Sequence, residues 1–142
     1  PVAAQSDMSA PYLTQAAVKK LVCLDLENPE GNQALHALLQ DADIFLENYV
    51  PTKIQKLSLD NETITKRHKH LIYFSMTDYG RNGPQENTPA YDVNIQAACG
   101  LMDMTGTTQS GPVRTGAPIL DYSTAIVAAF AISAALFERI KK

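Results

Sequence analysis

The chain has 142 residues, of which 45% are hydrophobic and 19% charged, and its formal net charge is -3. This balance is typical of one folded domain and excludes a disordered chain. The mild acidity gives no basic surface for nucleic acid or for an anionic membrane, so neither is expected as a partner.

The first half of the chain predicts short strands that alternate with helices. Residues 1–17 are polar and small, and we expect a loosely ordered N-terminal arm followed by a single partial domain over 18–142. Three runs have the length and apolar character of buried strands: "KLVCLDL" (20–26), "DIFLENY" (43–49) and "LIYFSM" (71–76). A helix over 30–41, and further helices in "TKIQKLSLD" and "NETITKRHKH", separate them. This order predicts an α/β fold with a partial parallel sheet of about three strands, which looks like part of a doubly wound fold.

The second half predicts helices separated by two turn-rich loops. "DYGRNGPQENTP" (78–89) follows the last predicted strand, and ligands of parallel sheets bind at such loops. After a helix in "YDVNIQAACGLMDMTG" and a second loop, a long helix is expected from about Asp121 to Arg139. The apolar stretch 117–137 is long enough to raise the question of a membrane span. Its acid, its hydroxyls and its many alanines favour a buried helix of a soluble protein.

Two cysteines and three histidines give little support to a redox or metal site. Cys23 and Cys99 lie in apolar runs and predict reduced core thiols of a cytoplasmic protein, although a disulfide between them stays open. We expect His36 on a helix surface, and the "KRHKH" run with His68 and His70 predicts a solvated helix end more than half of a metal site. The N-terminus lacks the basic start and apolar block of a signal peptide.

Asp121 is the most informative polar residue, because it interrupts the apolar run "PILDYSTAIVAAF". One interpretation is structural, since acids stabilise helix N-termini. The other is chemical, since a carboxylate at the mouth of a pocket can attack a carbonyl carbon. Asp92 has a similar structural interpretation as the cap of the helix that it begins.

Five segments taken together resemble the family III CoA-transferases, the enzymes related to formyl-CoA and carnitine CoA-transferases. The resemblance covers about residues 18–142, in order and spacing. The segments are "LVCLDLENPEG", "DADIFLENYVP", "HLIYFSMTDYGRNGP", "PAYDVNIQAACGLMDMTG" and "GPVRTGAPILDYSTAIVAAFAISAAL". The resemblance implies a Rossmann-like large domain, interlocked chains and transfer of coenzyme A between a thioester and a carboxylic acid.

The resemblance also implies roles for individual residues. Asp121 matches the aspartate that attacks the acyl-CoA carbonyl and passes through a mixed anhydride to an aspartyl-CoA thioester. Five further positions match, or lie near, the family's contacts to coenzyme A: Leu24, Asn48, Tyr49, Lys56 and Tyr79. No metal is implied.

The family also contains acyl-CoA racemases, which resemble this chain less well. They carry a His–Asp pair at the position of Tyr91 and Asp92, and a second acid at the position of Asp121. Racemisation needs two bases that exchange a proton, and tyrosine is a poor base near neutral pH. The "YD" pair therefore favours the transferase branch.

Departures from the family leave two hypotheses. The family's first strand, its small domain and its Gly-rich loop are not matched, and Glu27 and Val50 stand where the family commonly has cations. The chain is then either a CoA-transferase fragment that works through Asp121, or a non-catalytic remnant that acts as a binding or interaction module. In both cases we expect a homodimer or higher oligomer, because the sheet edge and the last helix need cover.

Overall fold

The computed structural model describes residues 10–141, and the chain is divided into two compact units after Leu35. The first unit contains helix α1 (Ala10–Ala16) and the first turns of helix α2 (Pro29–Gln40). Of the predicted arm, residues 1–9 lie outside the described residues, and 10–16 form α1.

The predicted strand over 20–26 is wrong, because this run has no regular structure. Leu21 and Val22 are 62% and 67% exposed. The apolar run indicates a segment that favours burial, but a strand also needs a hydrogen-bonding neighbour. Within the described residues, no ladder pairs with it.

Helix α2 begins as the sequence "NPEG" predicts. The Asn28 side chain accepts the backbone N–H of Glu30 at 2.9 Å, and Pro29 occupies the first helical position. A Cβ atom at Gly31 would lie 2.0 Å from the carbonyl oxygen of Asp25, so this close approach requires glycine. On the predicted apolar face, Leu39 is buried but Leu38 is 54% exposed.

The second unit is built on a two-stranded parallel sheet. Strands β1 (Ile44–Glu47) and β2 (Ile72–Ser75) pair in register from Ile44 opposite Ile72 to Glu47 opposite Ser75. Both strands were predicted, so the α/β class with a partial parallel sheet is confirmed, although the described residues form two strands rather than three.

The crossover between the two strands supplies the core. It consists of helices α3 (Pro51–Lys56) and α4 (Asn61–Arg67). Ile54, Leu59 and Ile64 are fully buried, and Leu57 and Leu71 nearly so. The Asp60 side chain caps α4 by accepting the N–H of Thr63 at 3.1 Å.

Three helices follow the sheet: α5 (Asp92–Ala98), α6 (Leu101–Thr105) and α7 (Ile119–Lys141). Gly100, with a φ of +81°, makes the sharp turn between α5 and α6. The loop after α6 is pinned where the N–H of Val113 donates to the carbonyl of Met102 at 2.9 Å. This loop leads directly into α7.

Helix α7 forms as predicted, but its predicted burial is wrong for this chain. Among its described side chains only Ala128 is buried, while Phe130 and Ile140 are 77% and 81% exposed. By length and composition alone, α7 would also suffice to cross a membrane. Core helices of soluble proteins pass the same test.

The predicted core positions of Cys23 and Cys99 are also wrong, since both thiols are exposed, and both are free. Apolar neighbours in sequence do not bury a residue when their own side chains remain on the surface.

Candidate active site

A pocket of about 270 Å³ lies in the second unit, between the start of α5, the loop before α7 and the first turn of α7. Its polar lining comes from Tyr91, Asp92, Gln96, Arg114, Thr115 and Asp121. The volume is just below the range of about 300–1,000 Å³ of pockets that hold drug-sized molecules. It therefore fits a small group, such as the acyl part of a larger ligand.

Asp121 lies in the first turn of α7, on the wall of this pocket. Partial burial raises the pKa of Asp121, and the negative charges of Asp92 and Asp78 raise it further. Asp121 is exposed and is among the residues that line the pocket. Asp121 is therefore a carboxylate within reach of a ligand.

Asp92, not Asp121, caps the N-terminus of α7. The Oδ2 atom of Asp92 accepts the backbone N–H of Leu120 at 2.7 Å and that of Asp121 at 3.1 Å. The N-cap residue of α5 is Tyr91, and its backbone N–H donates to the side chain of Asn94 at 3.0 Å. The expectation that Asp92 serves its own helix is wrong, because its carboxylate is used by another helix.

Gln96 joins the same network from the next turn of α5 and is almost fully buried. Its side-chain amide donates to Asp92 Oδ1 and, at 2.8 Å, to Thr115 Oγ1. Its Oε1 atom accepts the N–H of Thr115 at 2.9 Å. Asp92 and Gln96 of α5, together with Thr115, therefore fix the loop that precedes Asp121.

The two neighbouring carboxylates have opposite environments. Burial alone would raise the pKa of Asp92, but hydrogen bonds from Gln96, from the N–H of Asp121 and from that of Leu120 outweigh it and lower this pKa. The pKa of Asp121 moves the other way. When environments separate the pKa values of two carboxyl groups, the groups take different roles. Here Asp92 is the structural anion, and Asp121 is free to act as a nucleophile or base.

A second polar cluster lies at the carboxyl end of the sheet, around the buried carboxylate of Glu47. Its Oε1 atom accepts the Tyr73 hydroxyl at 3.0 Å and pairs with Arg81 Nη1 at 2.8 Å. Its Oε2 atom accepts the backbone N–H of Tyr49 at 2.8 Å. Arg81 also donates to Ser75. Burial and the contact with Glu47 raise the pKa of Tyr73.

The predicted contacts to coenzyme A fall into two groups. Asn48, Tyr49 and Tyr79 follow the ends of β1 and β2, so they lie beyond the carboxyl edge of the sheet, and Glu47 accepts the backbone N–H of Tyr49. Lys56 is the exposed last residue of α3, and Leu24 is a half-buried residue of the first unit. None of these five residues is among those that line the pocket of Asp121.

The histidines differ from the expectations. His36 and His68 are buried, not exposed, and His36 Nδ1 lies 2.9 Å from His68 Nε2. Burial lowers the pKa of both, and the positive charge of Arg67 lowers it further. Within residues 10–141, no group of three His, Cys, Asp or Glu side chains has the arrangement of a metal site.

Sequence reasoning missed Gln96 and Glu47 as site-supporting residues. The signal that would have found Gln96 is its position one helical turn after Asp92, which places both side chains on one face of α5. Glu47 is an acid at the end of an apolar strand, where an unpaired charge would be costly.

Comparison with known proteins gives one consistent result. The sequence model of CoA-transferase family III matches residues 1–142. Succinyl-CoA:glutarate CoA-transferase from Mus musculus is 36% identical over 130 residues, which are 92% of this chain and 30% of that protein. Formyl-CoA:oxalate CoA-transferase from Afipia carboxidovorans is 34% identical over 121 residues, which are 85% of this chain and 28% of that protein.

The solved structures agree with the sequence matches. A CAIB/BAIF family protein from Brucella suis superimposes with a TM-score of 0.81 and 32% identity, over 87% of this chain and 32% of that chain. A hypothetical protein, Rv3272, from Mycobacterium tuberculosis gives a TM-score of 0.80 and 31% identity. The chain thus spans about 30% of the length of the curated relatives that it matches.

Proposed function

The chain belongs to CoA-transferase family III, and we propose that it moves coenzyme A from an acyl-CoA thioester to a small carboxylic acid through Asp121. The observation that carries this proposal is the position of Asp121 on the wall of the 270 Å³ pocket, on a helix start that Asp92 fixes. A carboxylate held there meets the positional requirement of covalent catalysis.

The proposed reaction begins with attack of a carboxylate oxygen of Asp121 on the acyl-CoA carbonyl. The carbon–sulfur bond breaks, coenzyme A leaves as a thiolate, and a mixed anhydride remains. The thiolate then attacks the Asp121 carbonyl carbon, so that the donor acid leaves and an aspartyl-CoA thioester forms. The acceptor carboxylate repeats these steps in reverse, which yields the new acyl-CoA and regenerates Asp121.

Racemase chemistry is supported less well, because it needs a second base at the same pocket. Asp92 is the acid beside Asp121, but both of its oxygens already accept hydrogen bonds from Leu120, Asp121 and Gln96. Tyr91, beside it, is 81% exposed. One free carboxylate fits a nucleophile better than a proton-exchanging pair.

Asn48, Tyr49 and Tyr79 at the sheet edge are our candidates for contacts to coenzyme A, with Lys56 and Leu24 as further candidates. We propose that β1 and β2 belong to a larger Rossmann-like sheet and that α7 packs in a homodimer or higher oligomer. The free thiols of Cys23 and Cys99 accord with the cytoplasm as the compartment.

The test is chemical trapping on the purified chain. After incubation with succinyl-CoA, borohydride should convert the aspartyl thioester at residue 121 to homoserine, which peptide mass spectrometry detects. Asp121→Asn should give no modified peptide, while the control Asp41→Asn should behave as wild type. Calorimetric titration with coenzyme A is run in parallel.

A folded chain that binds no CoA species and forms no adduct would overturn the transferase proposal. That outcome would favour the alternative function, a non-catalytic binding or interaction module that retains the family fold.

A further inference from the structure

Arg114 is a cation on the pocket wall that has no carboxylate partner in the part of the chain that the structure describes. Among the residues described as lining the pocket, it is the basic one, and its neighbours there include the acids Asp92 and Asp121. Within residues 10–141, no acidic side chain forms an ion pair with it, and it is exposed. A guanidinium presents a planar set of donors that matches a carboxylate in two parallel hydrogen bonds.

The backbone on both sides of Arg114 is fixed. The N–H of Val113 donates to the carbonyl of Met102 at 2.9 Å, and the N–H of Thr115 donates to Gln96 Oε1 at 2.9 Å. The Thr115 hydroxyl also donates to the carbonyl of Ala117 at 2.7 Å. The loop therefore presents the arginine from an anchored position, which lowers the entropic cost of binding.

The charges of the pocket decide what Arg114 can bind. A small acid whose reacting end lies at Asp121 already brings one carboxylate beside the charges of Asp92 and Asp121. A second carboxylate would add repulsion unless a cation met it. The pocket volume of about 270 Å³ suits a small acid and not a whole coenzyme A molecule.

We propose that Arg114 binds the distal carboxylate of a small dicarboxylic acid, or of its acyl group, while the other end lies at Asp121. This inference rests on the proposed function, because it takes Asp121 as the reacting group. Arg114 is then a residue that selects the substrate and takes no part in bond making.

Calorimetric titration of the full chain with glutarate and valerate tests this directly, at one pH and ionic strength. The two acids have the same number of carbon atoms and differ in the second carboxylate. Wild type should bind glutarate roughly 10- to 100-fold more tightly than valerate, the effect of one charge-assisted pair. Arg114→Gln should remove this difference, and Arg114→Lys should retain part of it. Lys69→Gln, which removes an exposed cation that does not line the pocket, should leave it unchanged.

Three results would overturn the proposal: equal binding of both acids by wild type, a preference for glutarate that survives in Arg114→Gln, or equal weakening of both acids by that substitution. The last result would mean that Arg114 meets the carboxylate common to both acids. Unchanged thermal melting of the variants shows that the fold is intact.

The same experiment separates this inference from the proposed function. Binding of free acids needs no transfer step, so a preference for glutarate that depends on Arg114 would support this inference even if Asp121 formed no adduct. Conversely, borohydride trapping with butyryl-CoA should still modify Asp121 in Arg114→Gln. If the wild-type chain forms the Asp121 adduct but binds glutarate and valerate equally well, the proposed role of Arg114 is wrong and the proposed function stands.

Discussion

The Oδ2 atom of Asp92 lies 3.1 Å from the backbone nitrogen of Asp121 and accepts its hydrogen. An acid on α5 therefore determines where α7 begins and how the candidate nucleophile is presented. The same proximity places two negative charges side by side and contributes to the raised pKa of Asp121. The contact with Asp92 therefore both positions Asp121 and contributes to its raised pKa.

Replacing Asp92 by alanine should destabilise the fold, because the first N–H groups of α7 and the amide of Gln96 lose their acceptor. We expect the midpoint of thermal unfolding to fall by about 3–5 °C. Asp92→Asn, which keeps one acceptor oxygen, should cost less. Asp41→Ala, which removes an exposed acid, is the matched control, and an equal effect of the two alanine substitutions would contradict the capping role.

The Asp92 charge should also set the pH dependence of Asp121. A nucleophilic carboxylate must be ionised, so adduct formation is lost as the pH falls through the raised pKa of Asp121. Asp92→Asn or Asp78→Asn removes one repelling charge, which lowers this pKa and moves the acidic limb to lower pH. The Asp121 carboxyl resonance, followed by NMR titration and assigned with Asp121→Asn, measures the shift. Asp41→Asn is the control and should leave the acidic limb of the pH profile in place. If the limb also stays in place in Asp92→Asn and Asp78→Asn, these two charges do not raise the pKa of Asp121.

Glu47 and Arg81 should be coupled much more strongly than an exposed ion pair. The Glu47 side chain is 2% exposed and that of Arg81 30%, so removing either one leaves the other poorly solvated. A double-mutant cycle to alanine, followed by urea unfolding, should give a coupling energy of about 1–3 kcal/mol. The control cycle on Arg139 and Asp43, which are exposed, should give less than about 1 kcal/mol. Similar coupling energies in the two cycles would contradict the prediction that the buried pair is coupled more strongly.

Local pattern was enough for parts of the fold. The sequences of β1, β2 and α3 carry their own apolar spacing and breakers, such as Pro51 after β1, and these elements were predicted. The run 20–26 has the same apolar character but no described partner, and pairing depends on residues far away in the sequence.

In the candidate site, too, local signals could be predicted from the sequence and long-range contacts could not. Asp121 was found because an acid interrupts an apolar run, which is a local signal. The cap that Asp92 provides for Asp121 spans 29 positions, and the contact between His36 and His68 spans 32. Neither contact produces a periodic pattern in the sequence, because the tertiary fold, and not the local sequence, determines which residues meet.

The His36–His68 pair should make stability depend on pH below neutrality. Burial holds the pKa of both histidines below the ordinary value of about 6.5. The unfolded chain therefore binds more protons than the folded chain in this range. Their contribution is fully present above about pH 6.5 and is lost as the pH falls from there through the folded pKa values.

The free energy of unfolding should accordingly decline as the pH falls below about 6.5. The double variant His36→Asn/His68→Asn should remove most of this slope, even if its stability above that pH is lower. His70→Gln removes an exposed histidine next to the pair and is the control that should retain the slope. A slope that survives in the double variant would mean that other groups cause it.

The exposed face of α7 should determine the oligomeric state. Phe130, Ile126 and Ile140 are each more than 70% exposed on one helix, and water is an unfavourable neighbour for so much contiguous apolar surface. Native mass spectrometry at micromolar concentration should show a dimer or higher oligomer. Phe130→Ser should weaken it roughly 10- to 100-fold, because each interface loses a buried aromatic side chain. Met104→Ser changes an equally exposed apolar residue outside α7 and should leave assembly intact. A wild-type chain that is only monomeric would refute this self-association.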